Sequence, residues 1–169
     1  LRKNTMEEVW NQYPYKQMRV NMLTGKSCKE CTRCYEQEAN GFFSMRNDAN
    51  RNYGHHIKDV AFTTETGYNT KFQLRYWDVR FSNLCNFKCR MCGDMLSSSW
   101  ETEQRQHNMI DWGNSKNTWM RPEVKRQIEE FQESQIEAEF SKAVEEHRVE
   151  EVYWVGGEPL MYEQHWRYM

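Results

Sequence analysis

The 169-residue chain lacks any apolar run near the roughly 18 residues that a membrane span needs. Its first residues, Leu1-Arg2-Lys3-Asn4, carry no apolar signal segment. These absences predict a protein without a membrane partner, neither secreted nor membrane-embedded. The chain also lacks an excess of either charge. Lys and Arg total 23, Asp and Glu total 25, and the formal net charge is -2. That balance speaks against a nucleic-acid partner held by bulk phosphate neutralisation. Proline is scarce, at three residues, and the hydrophobic share is only 38%. Mean hydropathy is -1.05, polar for a globule, yet an aromatic content of 14% argues against disorder. The length suits one medium domain, or a small domain plus a portion of a larger one. The chain begins at Leu1 and stops at Met169, just beyond a strand-and-glycine motif. It therefore reads as a piece of a longer protein.

No cysteine lies outside two tight groups. Cys28, Cys31 and Cys34 form Cys-x-x-Cys-x-x-Cys, and Cys85, Cys89 and Cys92 form Cys-x-x-x-Cys-x-x-Cys. A disulfide framework spreads its cysteines to close long loops in secreted chains. Close spacing instead lets several thiolates converge on one metal centre. Structural zinc asks for four closed ligands, and each triplet offers three. A [4Fe–4S] cluster held by three thiolates keeps one iron open for a substrate or cofactor. Iron–sulfur is therefore favoured over zinc at the second triplet. At the first triplet both metals stay open. Six reduced thiols and an oxygen-sensitive cluster fit a cytoplasmic location.

Residues 1–54 read as a small, mostly helical cysteine-containing region. Thr5-Met6-Glu7-Glu8 is a capping box, with Met6, Val9 and Trp10 behind it. Pro14 opens a second helix that turns Met18, Met22 and Leu23 inward and stops at Gly25. A helical turn or two spans Tyr35 to Asn40, and Ser44 caps a further helix closed by Gly54. Residues 55–73 are a connector. Val60, Phe62, the Thr66-Gly67 turn and Phe72 suggest a hairpin, with His55 and His56 as exposed loop residues.

From Leu74 the texture changes. Arg75–Phe81 alternates, with Trp77, Val79 and Phe81 on one strand face. The second triplet follows directly. Asp94 or Ser97 caps a helix to about His107, residues 108–119 read as a loop, and Pro122 opens a long amphipathic stretch. Val124, Ile128, Phe131, Ile136, Phe140 and Val144 recur near a 3.6 period. The step from Phe131 to Ile136 breaks that period and predicts two helices. Val149–Val155 reads as a second strand, ending in Gly156-Gly157-Glu158-Pro159. Strand, helices, strand is a crossover unit, which gives parallel strands. In α/β architecture ligands sit at the C-terminal ends of such strands, so both motifs are expected on one edge. The two glycines permit close approach of a ligand to the backbone, and Glu158 offers a carboxylate for an ammonium group.

Cys85-Asn86-Phe87-Lys88-Cys89-Arg90-Met91-Cys92-Gly93, with Phe81-Ser82-Asn83-Leu84 before it, resembles the signature of the radical S-adenosylmethionine (SAM) superfamily. Gly156-Gly157-Glu158-Pro159 is similar to that superfamily's second motif. The first triplet, with Lys29-Glu30 and Tyr35-Glu36-Gln37-Glu38 around it, resembles the auxiliary-cluster region of the SPASM/twitch branch. The approach Asn4–Asn11 is similar too.

The resemblance implies an α/β fold: residues 74–169 form the first two β/α units of a partial (β/α) barrel, and 1–54 an auxiliary-cluster region. It implies that Cys85, Cys89 and Cys92 hold a [4Fe–4S] cluster whose open iron chelates SAM. Gly156, Gly157 and Glu158 would hold the SAM amino group, and Met91 would contact the adenine where the family usually has a bulky apolar or aromatic residue. Cys28, Cys31 and Cys34 would be ligands of a second, auxiliary cluster. One electron from a flavodoxin- or ferredoxin-type reductant would cleave SAM to methionine and a 5′-deoxyadenosyl radical, which abstracts hydrogen from a peptide or small-molecule substrate. Two alternatives stand beside this: a zinc-stapled binding module, and an electron-transfer iron–sulfur protein without SAM chemistry.

Overall fold

The computed structural model describes residues 4–110, 119 and 121–169. The chain divides into two compact units, Arg2–Phe72 and Gln73–Met169. Of the loop expected at 108–119, residues 111–118 lie outside the described residues.

The first unit is helical. It contains α1 (Met6–Trp10), α2 (Tyr13–Leu23), a 3-10 turn (Lys29–Cys31), α3 (Thr32–Ala39), α4 (Met45–Tyr53) and a 3-10 helix (Gly54–Phe62). Local capping explains the starts. The Thr5 hydroxyl accepts from the Glu8 amide, and the Glu8 carboxylate accepts in return from the Thr5 amide. Ser44 and Asn47 repeat the arrangement at α4. Gly25 and Gly41 follow α2 and α3 with φ of 68° and 77°, left-handed stops that glycine enters freely.

Few apolar side chains are enclosed here, so polar bonds do much of the fastening. Asn11 brackets the Asn69 backbone, donating to its carbonyl at 3.0 Å and accepting from its amide at 2.9 Å. Arg19 lies over the Trp10 ring and donates to the Gly67 carbonyl at 2.8 Å. Trp10 in turn meets Phe72 edge-on at 5.7 Å.

Two expectations fail in this unit. Met22 and Leu23 are exposed at the C-terminal end of α2, while Met18 through Asn21 are half-buried. The hairpin is reduced to a single antiparallel bridge, Thr63 to Asn69, around the Thr66-Gly67 turn. Val60 and Phe62 lie in the 3-10 helix, as do His55 and His56; His56 is half-buried, with Nδ1 3.9 Å from Asp59.

The second unit is α/β. Strand β1 (Tyr76–Val79) pairs in parallel with β2 (Glu151–Trp154), in the register Tyr76 to Glu151 through Val79 to Trp154. Between them run α5 (Ser98–Gln106), α6 (Pro122–Phe131), a π-helical turn (Gln132–Ile136) and α7 (Glu137–Glu145). A 3-10 turn (Pro159–Met161) and α8 (Glu163–Tyr168) follow β2.

The core forms as the alternation requires. Trp77, Val79 and Phe81 are buried on one face, against a fully enclosed Phe140 from α7. Trp77 and Tyr168 meet Phe140 edge-on at 5.2 and 5.0 Å. The break in period does not split the segment into separate helices. The helix continues through a π turn, which absorbs the extra residue and keeps Phe131 and Ile136 on the packed side. Both strands are shorter than expected, though backbone bonds from Glu151 to Arg75 and from Val155 to Val79 flank the four paired positions.

Candidate functional site

The polypeptide leaves β1 at Arg80 and runs through Phe81-Ser82-Asn83-Leu84 into Cys85. The loop that follows is clamped by three consecutive serines at the start of α5. The Ser98 hydroxyl accepts from the Cys85 amide at 3.0 Å and donates to the Cys85 carbonyl at 3.2 Å. Ser99 donates to the same carbonyl at 2.7 Å. Ser97, fully buried, donates to the Phe87 carbonyl at 2.7 Å and caps the helix. Further along, the Trp100 indole donates to the Cys89 carbonyl at 3.1 Å. Main-chain carbonyls at residues 85, 87 and 89 are thus held from the start of α5, and the Cys85 sulfur accepts from the Phe87 amide at 3.4 Å. Cys85 and Cys92 are half-buried and Cys89 is exposed, all as free thiols.

The Gly-Gly-Glu-Pro turn packs against this same segment. Gly156 and Gly157 have φ of 80° and 61°. A Cβ on Gly157 would fall 2.3 Å from the Leu84 carbonyl oxygen and 2.8 Å from the Asn83 carbonyl carbon. On Gly156 it would meet Arg80 Cβ and the Ser82 oxygen, each at 3.1 Å. The Glu158 amide donates to Leu84 at 2.8 Å, and the Gly157 amide to Leu96 at 3.0 Å. The glycines are therefore required for backbone-on-backbone packing against the cysteine segment, where sequence reasoning expected them to admit a ligand. With both amides committed, the turn presents acceptors to a ligand: its carbonyls and the Glu158 carboxylate, which also accepts from the Leu160 amide at 3.3 Å. Such a set suits a donor such as an ammonium group. Asp94 Oδ2, two residues beyond Cys92, is a further buried acceptor and has no hydrogen-bond partner.

Two functional neighbours escaped sequence reasoning. Glu101 on α5 is buried and gathers the Asn83 amide (2.9 Å), Arg105 (3.0 Å) and Lys125 of α6 (2.9 Å) on one carboxylate. Burial pushes its pKa up, but the bonds from Asn83, Lys125 and Arg105 outweigh it and hold the carboxyl below its ordinary range. Tyr162 is also buried and donates to the Ser82 carbonyl at 3.3 Å. Burial, with the nearby Cys85 and Glu158, pushes its phenol up to about 12. Neither residue stands in a motif. An apolar-rich cavity of about 290 Å³ opens beside Gly156 and is lined also by Arg80, Ser82, Met95, Leu96 and Lys125. Met91 is 99% exposed.

In the first unit Cys28 is buried at 1% exposure, with Cys31 and Cys34 half-buried on the next turn. Its amide donates to the Tyr35 hydroxyl at 3.3 Å, and the Cys31 amide donates back to its carbonyl at 3.0 Å. Burial first, and Cys31 second, push the Cys28 thiol up. Arg46 lies over the Tyr35 ring at 5.2 Å, and lines with Cys31 and Lys26 a depression of about 340 Å³.

Among the described residues, the three sulfurs of neither triplet lie within 4.8 Å of one another. Tetrahedral zinc, at about 2.3 Å per thiolate, draws its sulfurs to about 3.8 Å apart. A cluster binds each thiolate through a different iron and accepts a wider set. No helix among the described residues is long and apolar enough to cross a membrane. No family model matches the chain, and no curated protein or solved structure matches it.

Proposed function

We propose that the second unit is the start of a radical SAM enzyme's partial barrel, with Cys85, Cys89 and Cys92 as the ligands of a [4Fe–4S] cluster. One contact supports this above all: Gly157 lies against Leu84, so the acceptor-rich turn sits one residue from the first cysteine. Two motifs 64 residues apart in sequence, at Cys92 and Gly156, meet because β1 and β2 are parallel neighbours.

The donor set fits such a cluster. Three free thiols stand on a loop whose carbonyls are tied down by Ser97, Ser98, Ser99 and Trp100. Cys85, Cys89 and Cys92 would hold the cluster, which when bound and reduced would supply the one electron for cleaving SAM to methionine and a 5′-deoxyadenosyl radical able to take hydrogen from substrate. The chain's own role is to bind and orient. Gly156 and Gly157 carbonyls with the Glu158 carboxylate would receive the SAM ammonium. The clamped backbone keeps the thiols in register, and Met95 and Leu96 give the cavity beside the turn an apolar wall. Cys28, Cys31 and Cys34 are proposed as ligands of an auxiliary cluster, and a reducing, cytoplasmic setting suits both sets of thiols.

The test is SAM turnover under a strong one-electron reductant, read as 5′-deoxyadenosine. Changing Cys85, Cys89 or Cys92 to Ala abolishes it. Turnover that survives any one of these changes overturns the assignment.

A further inference from the structure

Resting on that reading, we infer that Glu101 is a positioning residue that sets the distance between the cysteine loop and the Gly-Gly-Glu-Pro turn. Glu101 is buried at 6% exposure, and its carboxylate ties three segments together. Its Oε2 receives the Asn83 side-chain amide at 2.9 Å and Lys125 of α6 at 2.9 Å; its Oε1 receives Arg105 of α5 at 3.0 Å.

Asn83 is where this matters. Its backbone carbonyl accepts from the Ser98 amide at 2.7 Å, at the head of the serine clamp. Its carbonyl carbon is 2.8 Å from the place a Gly157 Cβ would occupy. The same side-chain amide also donates to the Asp94 carbonyl at 3.3 Å, beyond the last cysteine. Asn83 therefore touches both ends of the cysteine loop and the glycine turn, and Glu101 fixes its side chain. A buried carboxylate that receives this many bonds holds its partners in one geometry, and its removal leaves buried donors without acceptors.

The charge balance matters as well. Glu101 pairs with both Arg105 and Lys125, and Lys125 lines the cavity beside Gly156. An ammonium-bearing ligand approaching that edge meets a paired cation. With Glu101 neutral it meets a bare one, and binding weakens by repulsion.

The experiment compares Glu101→Gln, Glu101→Ala and Glu137→Gln in the full chain. Glu137 is a control in the same unit: it pairs with Arg167 at 2.7 Å and accepts from Gln164, at neither motif. The first readout needs no cluster: amide hydrogen exchange across residues 84–92 in the metal-free protein. Glu101→Ala speeds it at least tenfold while exchange in β1 and β2 is unchanged; Glu137→Gln leaves it alone. The second is the SAM concentration that half-completes the change in the reduced-cluster EPR signal. Glu101→Gln raises it about tenfold at unchanged iron and sulfide content. Normal exchange in Glu101→Ala, or normal SAM response in Glu101→Gln, overturns the inference. So does equal loss in Glu137→Gln. A wild-type protein whose signal ignores SAM overturns the functional reading instead, while the exchange result still judges the positioning role.

Discussion

Gly157 approaches Leu84 so closely that a methyl group at its Cα would sit 2.3 Å from the Leu84 carbonyl oxygen. This contact joins the end of the second strand to the residue before Cys85. It is made from backbone alone, so one added carbon breaks it.

Gly157→Ala is therefore expected to damage the site beyond its conformational strain. A residue with a Cβ at left-handed φ costs about 1–2 kcal/mol. Gly25→Ala, at φ 68° with nothing within 4 Å, carries only that strain. Gly157→Ala must also push back the Asn83–Leu84 backbone. Chemical denaturation should show a loss in the second unit about twofold larger than Gly25→Ala causes in the first. The SAM-dependent EPR change should vanish. Equal losses would mean that the glycine turn is loosely seated.

Tyr162 predicts an alkaline signature. Its phenol is held protonated up to about 12, whereas an unfolded tyrosine ionises near 10. The folded state keeps the proton longer, so the stabilisation is complete below about pH 10 and is lost as pH rises toward about 12. Tyr162→Phe lessens the decline in that window, and costs about 1 kcal/mol at neutral pH through the lost bond to Ser82. Stability followed by denaturant midpoint from pH 9 to 12 checks both effects.

Glu101 predicts the opposite slope in acid. Its folded carboxyl titrates below the ordinary value near 4.3, so its contribution is present above that value and lost as pH falls through the lowered one. Glu101→Gln flattens the acid limb of the stability curve below about pH 4. An unchanged acid limb would show that the network does not stabilise the charged form.

Phe140 is enclosed completely and touches Trp77, Phe81, Trp154 and Tyr168. Phe140→Ala is expected to cost about 3–5 kcal/mol and to abolish cooperative unfolding of the second unit. Met91→Ala, at a side chain 99% exposed, leaves stability within about 0.5 kcal/mol of wild type. Calorimetry of the two variants separates core from loop.

The sequence made local and periodic features legible. Trp77, Val79 and Phe81 announced a buried strand face, because alternation reports the two sides of a pleat. Thr5 and Ser44 announced helix starts, because a cap bonds within three residues; a third start lay between Asp94 and Ser97, and Ser97 takes it. Parallel pairing followed from the crossover, and with it the meeting of the two motifs. The π turn at Gln132–Ile136 showed only as a broken period, which two helices explain equally well; here packing on both sides of the break decided. Glu101 was hidden because its partners Asn83 and Lys125 lie 18 and 24 residues away on different segments. Tyr162 was hidden for the same reason, since its partner Ser82 lies 80 residues away. The glycines were found, but their packing on Leu84 is a tertiary fact. Val60, Phe62, the Thr66-Gly67 turn and Phe72 suggested a hairpin, yet Val60 and Phe62 lie in a 3-10 helix with their side chains on the surface.

The most direct test of the central claim is the metal content of the anaerobically reconstituted protein, with an EPR scan of its reduced form before and after SAM is added. Iron with matching sulfide, and a spectrum that shifts with SAM, is the predicted result, and the shift should disappear in Cys85→Ala. Zinc without sulfide, and no response to SAM, would contradict it and leave the cysteine loop and the glycine turn as elements of a metal-stapled binding module.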